Sequence, residues 1–192
     1  VQIAIALVSL AKTLGYQTIL IDPRKAWGNE NRFPHVDRLI QAWVDDAFEQ
    51  IKINSSTAIA VLTHDPKIDD PAIKLALNSS AFYVGALGSK NTNAKRNERF
   101  RSDGVSESQI NNIHAPIGLD IGAQNPEEIA LAIMSQIVQT FRKQKQPEIK
   151  NEAENLQSPV SNLQSPVSSL QSPISNSLIL QFSRIFYETR IF

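Results

Sequence analysis

No cysteine occurs in this chain of 192 residues. Disulfides, cysteine-ligated zinc and thiol catalysis are thereby excluded. Net charge is lacking as well, since 19 Lys and Arg balance 19 Asp and Glu. No global field draws the chain to nucleic acid or to an anionic membrane, and neither is expected as a partner. No apolar run approaches the ~18 residues that span a bilayer. The first residues carry neither a basic start nor a small-residue cleavage site, so no signal peptide is read there and a cytoplasmic location is expected. Histidine is scarce, three in all. Without cysteine that supply supports no metal site, and none is assigned.

What the chain does have is an alternation of helical and strand patterns. Ile3, Leu7, Leu10 and Leu14 recur at helical spacing, and Gly15 stands where a C-cap glycine belongs. Residues 16–21, 57–63 and 81–86 are short apolar runs of the kind that form buried strands. A polar loop occupies residues 22–34, and a short helix is expected over 45–51. Asp70-Pro71 reads as an N-cap followed by proline at the first helical position, opening a helix to about Leu77. A basic helix is expected from Ser89 to Arg101. Ser106 to Gln109 and Asn125 to Glu128 read as helix starts, the second opening a long helix with Ile129, Ile133, Ile137 and Phe141 on one face. The fold class is therefore α/β, with a doubly wound, mostly parallel sheet.

Two ends of the pattern are unusual. The chain opens inside a helix, so the expectation is a fragment whose sheet lacks its first strand, with that strand and its glycine loop placed before Val1. After Gln144 the composition changes. LQSPVSN at 156–162 recurs at 163–169 and 170–176. Proline in every copy breaks a helix, and the Ser and Asn content offers no core. The expected organisation is a domain over 1–144 and a disordered, low-complexity tail over 145–192.

The segment 83–90, YVGALGSK, is a strand ending in a glycine turn that opens a helix. Gly85 and Gly88 remove Cβ atoms that would keep a ligand from the backbone. Ser89 can cap the helix, whose first N–H groups then suit an anion. Lys90 and Arg96 could reach the same anion; the other basic residues of that helix read as a solvated face. Asp22 closes a strand, where an acid can accept from a ribose hydroxyl or merely start a turn with Pro23. Arg24 could meet a phosphate or be solvated. His64 follows the strand ending at Thr63, on the ligand-binding edge; it reads as a ligand donor, or as a loop residue held by Asp69 or Asp70. Asp120, between Gly118 and Gly122, could bind a ligand hydroxyl or tie down its loop. No catalytic residue is assigned.

Together with VLTHDPKIDDP at 61–71, IDPR at 21–24 and IHAPIGLDIG at 113–122, the glycine turn resembles the C-terminal domain of the XdhC/CoxI family. Those proteins are maturation factors for xanthine and carbon monoxide dehydrogenases. The resemblance implies a Rossmann-like domain over about residues 1–144, molybdenum cofactor as cargo, and a xanthine dehydrogenase-type molybdenum hydroxylase as apo-enzyme partner, with a homodimer as an option. Asp22, His64, Gly85, Gly88, Ser89 and Asp120 would then be cofactor-binding residues, and the chain would catalyse no turnover of its own. Two other readings stand beside it: an NAD(P)-dependent oxidoreductase, which the doubly wound pattern and Asp22 suit, and an inactive fragment.

Overall fold

The apolar spacing of the first fourteen residues forms helix α1 (Gln2–Thr13), which buries Ala4, Leu7, Val8 and Ala11. The computed structural model describes residues 1–63, 65–145 and 177–181. Leu14 ends the helix, and Gly15 takes φ +77° to reverse the chain, with the Tyr16 amide bonding back to the Ala11 carbonyl. Strand β1 (Gln17–Ile21) follows, with its last four residues buried. Strand β2 (Arg38–Ile40) and helix α2 (Val44–Glu49) come next, then the fully buried strand β3 (Thr57–Val61).

Helix α3 (Pro66–Leu77) starts at Pro66, ahead of the Pro71 that the sequence suggests. Two Asp-Pro pairs compete for its start. Asp65-Pro66 wins, with the Asp65 carboxylate accepting from the Lys67 amide at 3.0 Å, and Pro71 lies inside the helix. Strand β4 (Tyr83–Ala86) leads through Gly88 to helix α4 (Lys90–Ser102). Helix α5 (Glu107–Asn111) opens on the expected reciprocal box between Ser106 and Gln109. Strand β5 (Ile113–His114) and helix α6 (Pro126–Lys145) follow. Asn125 caps α6, its Oδ1 accepting from the Glu128 amide at 2.8 Å.

Strand β6 (Ser177–Gln181) departs from the expected tail. It lies in the middle of a six-stranded sheet of order β2-β1-β6-β3-β4-β5, and every pairing is parallel. The slot between β1 and β3 is therefore filled from the C-terminal side. The remaining residues of the expected tail, 146–176 and 182–192, lie outside the described residues.

Alternate strand residues face two helical layers. Leu20, Ala58, Ala60, Tyr83, Leu178 and Leu180 pack with α1 and α6. Ile21, Ile59, Val61, Val84, Ala86 and Ile179 pack with α2, α3 and α5 and with Phe100 of α4. Coverage of both faces is what lets an all-parallel sheet exist. No helix among the described residues is long and apolar enough to cross a membrane.

Candidate functional site

Because all strands run the same way, their carboxyl ends share one edge. Connections lead outward from the centre in both directions, to β2 on one side and to β4 and β5 on the other. In open α/β sheets ligands sit outside such a switch point. Asp22 follows β1 here, Thr63 follows β3, and Gly88 and Ser89 follow β4.

Asp22 is fully withdrawn from solvent. Its Oδ1 accepts from the Arg24 backbone amide at 2.9 Å and from Arg24 Nε at 3.0 Å, and its Oδ2 accepts from Nη2 at 3.0 Å. The flat guanidinium fork matches the carboxylate. Gly28 folds back over the pair, where an added Cβ would lie 2.8 Å from Asp22 Cβ. Asp22 thus combines the turn role with that of a brace for Arg24. A ribose hydroxyl at this place would have to share oxygens already engaged.

The turn after β4 has the form its sequence suggests. Gly88 takes φ +141°, a region that favours glycine. Ser89 Oγ accepts from the Thr92 amide at 3.1 Å, capping α4. Ser89 and Lys90 are exposed, so the first turn of α4 meets solvent at the carboxyl edge. Helix starts of this kind receive anions on their N–H groups.

Behind the turn runs a buried polar network that sequence reasoning did not find. Thr63 Oγ1 donates to the Asp69 carboxylate and accepts from the Asp65 amide at 3.1 Å. Arg96 Nη2 lies 3.3 Å from Asp69 Oδ2 and donates to the Leu87 carbonyl at 3.2 Å. Arg96 also donates to Asn93 Oδ1, and Asn93 Nδ2 donates to the Gly88 carbonyl at 3.0 Å. The loop after β3 and the turn after β4 are thereby tied together through Arg96. Asp70 holds Arg99 in a two-pronged pair at 2.7 and 3.1 Å. Burial pushes the Asp69 carboxyl up to about 6, against the pull of Thr63 and Arg96, and burial pushes the Arg96 guanidinium down. A signal was present in the sequence: Asn93, Arg96 and Phe100 share one helical face, and all three are buried.

Gly85 has a packing reason. A Cβ there would come within 2.6 Å of Ile117 and 2.7 Å of the Tyr83 ring. Gly118, at φ +96°, backs onto helix α6, where an added Cβ would sit 3.1 Å from the Ile133 amide nitrogen. Its N–H donates to Gln136 Oε1 at 2.9 Å, and the same oxygen accepts from the Tyr83 hydroxyl at 2.6 Å. Asp120 is exposed on the loop between β5 and α6, apart from the network that links Thr63, Asp69 and the Gly88 turn. His64 lies outside the described residues. His114 stacks on Tyr83 with ring centroids 4.5 Å apart, and its burial lowers the imidazole's affinity for a proton. Among the basic residues of α4, Lys90 and Lys95 are exposed, Arg101 pairs with Glu107, and only Arg96 is buried.

This edge offers binding chemistry: a capped helix start, a glycine turn and a fixed guanidinium. The doubly wound parallel sheet behind it defines a Rossmann-type domain. Residues 1–137 match the family described as the XdhC Rossmann domain, and the chain belongs to that family. It is 32% identical over 139 residues to a probable xanthine dehydrogenase subunit of Bacillus subtilis (strain 168), covering 72% of this chain and 40% of that protein. It is 30% identical over 86 residues to the molybdenum cofactor insertion chaperone PaoD of Escherichia coli (strain K12), covering 45% of this chain and 27% of that protein. A crystal structure of a xanthine dehydrogenase from Bacillus halodurans superposes with a TM-score of 0.63 at 28% identity, covering 76% of this chain and 41% of the other. The chain thus spans about two-fifths of the Bacillus relatives' length.

Proposed function

We propose that this chain is the cofactor-binding domain of a maturation factor for a xanthine dehydrogenase-type molybdenum hydroxylase, and that molybdenum cofactor is its cargo. The observation that carries this reading is the family match over residues 1–137, beside the similarity of 86 residues to a molybdenum cofactor insertion chaperone. The geometry supports it at one place. The cofactor carries a terminal phosphate on its pterin side chain, and the capped start of α4 with its glycine turn suits one phosphate. Asp22 with Arg24, and Asp120 on the next loop, are the further groups proposed at this edge, with Gly85 placing the β4 backbone beneath it. The apo-hydroxylase is the proposed acceptor. A binding domain of this kind needs no acid or base of its own.

A second reading, binding of NAD(P), is favoured by the strand order. The engagement of both Asp22 oxygens by Arg24 weighs against it. Anaerobic calorimetric titration of the chain with molybdenum cofactor and with NAD(P) decides between them. Tighter binding of molybdenum cofactor is the expected result. Tighter NAD(P) binding, with hydride transfer to a small substrate, overturns the proposal. Folded protein that binds neither favours an inactive fragment.

A further inference from the structure

Strand β6 reaches the sheet from the far end of the chain, yet it takes the most central place in it. Renumbered outward from β6, the order β2-β1-β6-β3-β4-β5 becomes 3-2-1-4-5-6, the doubly wound dinucleotide-fold order. Ser177–Gln181 therefore stands where the first strand of that fold belongs. β1 and β3 do not pair with each other. Each pairs with β6 over five residues, Gln17 to Ile21 on one side and Thr57 to Val61 on the other. Leu178, Ile179 and Leu180 are 0%, 1% and 0% exposed. Leu178 and Leu180 enter the layer with α1 and α6, while Ile179 enters the layer with α2 and α3.

Without β6 the sheet divides into two pieces, β2-β1 and β3-β4-β5, each presenting a buried apolar strand as an open edge. Such edges are templates for any strand that can pair with them. The slot is selective for a short parallel strand with apolar residues on both faces, since each face meets a helical layer. Among the described residues only Ser177–Gln181 meets that demand without already belonging elsewhere in the sheet.

We propose that Ser177–Gln181 is a donor strand, supplied in cis from the C-terminal side, that takes the first-strand place and joins the two half-sheets into one domain. Residues 146–176 connect it to α6. Fully extended they span roughly 100 Å, against a radius of gyration of roughly 15 Å for a domain of this size. A connection of that contour length is long enough to reach the slot, and a tether of this kind gives the strand an effective concentration of about millimolar. A second copy of the chain competes only when its own concentration approaches that value.

The test uses the full chain with a specific protease site inserted in the repeat between residues 160 and 170. After cleavage of the folded protein, the fragment carrying Ser177–Gln181 is expected to co-elute with the rest of the chain and to separate only in denaturant. In the uncleaved protein, Leu178→Asp is expected to abolish the folding transition or lower its midpoint by about 10 °C or more. Val167→Asp in the repeat should leave the midpoint within about 2 °C. A cleaved fragment that separates freely from a core with an unchanged midpoint overturns the proposal, as does a Leu178→Asp protein that melts like the parent. Sedimentation at micromolar concentration tests the cis assignment. A monomer upholds it, and a dimer whose fragment remains with a differently tagged partner overturns it. None of these results depends on which ligand the carboxyl edge binds.

Discussion

The Arg96 guanidinium meets the Asp69 carboxylate at 3.3 Å with both side chains almost wholly withdrawn from solvent, 3% and 1% exposed. That pair joins α3 to α4 directly behind the candidate site. Because Arg96 also bonds the Leu87 carbonyl and, through Asn93, the Gly88 carbonyl, it fixes the backbone of the glycine turn.

Arg96→Met should therefore be costly. Burying two charges is expensive, and their attraction offsets the expense only while both are present. Removing one leaves Asp69 unpaired and the Leu87 carbonyl without this donor. A loss of about 3–5 kcal/mol is expected in denaturant unfolding, and the double variant with Asp69→Asn should recover part of it. A single variant within about 0.5 kcal/mol of the parent would show that the pair contributes nothing.

The same pair gives the chain a pH dependence whose sign can be worked out. Burial raises the Asp69 carboxyl from 3.8 to about 6 in the folded protein. The folded state therefore holds a proton that the unfolded state has released. The contribution of Asp69 to stability is fully present below about pH 4 and is lost as pH rises through about 6. Compared with Asp69→Asn, which cannot ionise, the parent should lose about 2–3 kcal/mol across that window. Denaturant midpoints of both proteins from pH 4 to 7.5 check this. A difference between them that is flat with pH, or that grows in the parent's favour, contradicts it.

The parts of the fold legible in the sequence are those determined locally. Gly15 after α1, the box at Ser106 and the cap at Asn125 each involve residues within one turn, and all three form as read. Arg38–Ile40 and Ile113–His114 went unread because strands of three and two residues owe their form to their neighbours. Two Asp-Pro pairs five residues apart carry the same local signal for α3, and tertiary packing selects the earlier. Ser177–Gln181 follows the repeat inside the stretch expected as a disordered tail; only the slot between β1 and β3 makes it a strand. The turn at Gly88 and the cap at Ser89 were legible because both are local. Gly85 was read for ligand access because the group that fills its space, Ile117, lies thirty-two residues further along.

Gly85→Ala separates packing from ligand access. The new Cβ would collide with Ile117 and with the Tyr83 ring. Overpacking of this kind costs about 1–3 kcal/mol. If packing is its role, Ile117→Ala in the same chain should restore part of the lost stability, and anion binding should stay within about twofold of the parent. A folded Gly85→Ala protein with parent stability and weakened binding would instead place ligand at this backbone.

Gly88→Val tests the site itself. Valine is strained at φ +141°, and its Cβ would stand 3.2–3.3 Å from Thr92. Such backbone strain costs about 1–3 kcal/mol, so the turn should shift away from the geometry that presents the start of α4. Binding of molybdenum cofactor is expected to weaken at least tenfold, which corresponds to about 1.4 kcal/mol. Ser89→Ala is the companion variant. It removes the cap bond to the Thr92 amide, should cost about 1 kcal/mol of stability, and leaves Gly88 in place, so its effect on binding should be the smaller of the two. Calorimetric titration of both variants, after circular dichroism has shown that they fold, makes the comparison. Parent affinity in folded Gly88→Val would move the phosphate away from the turn after β4.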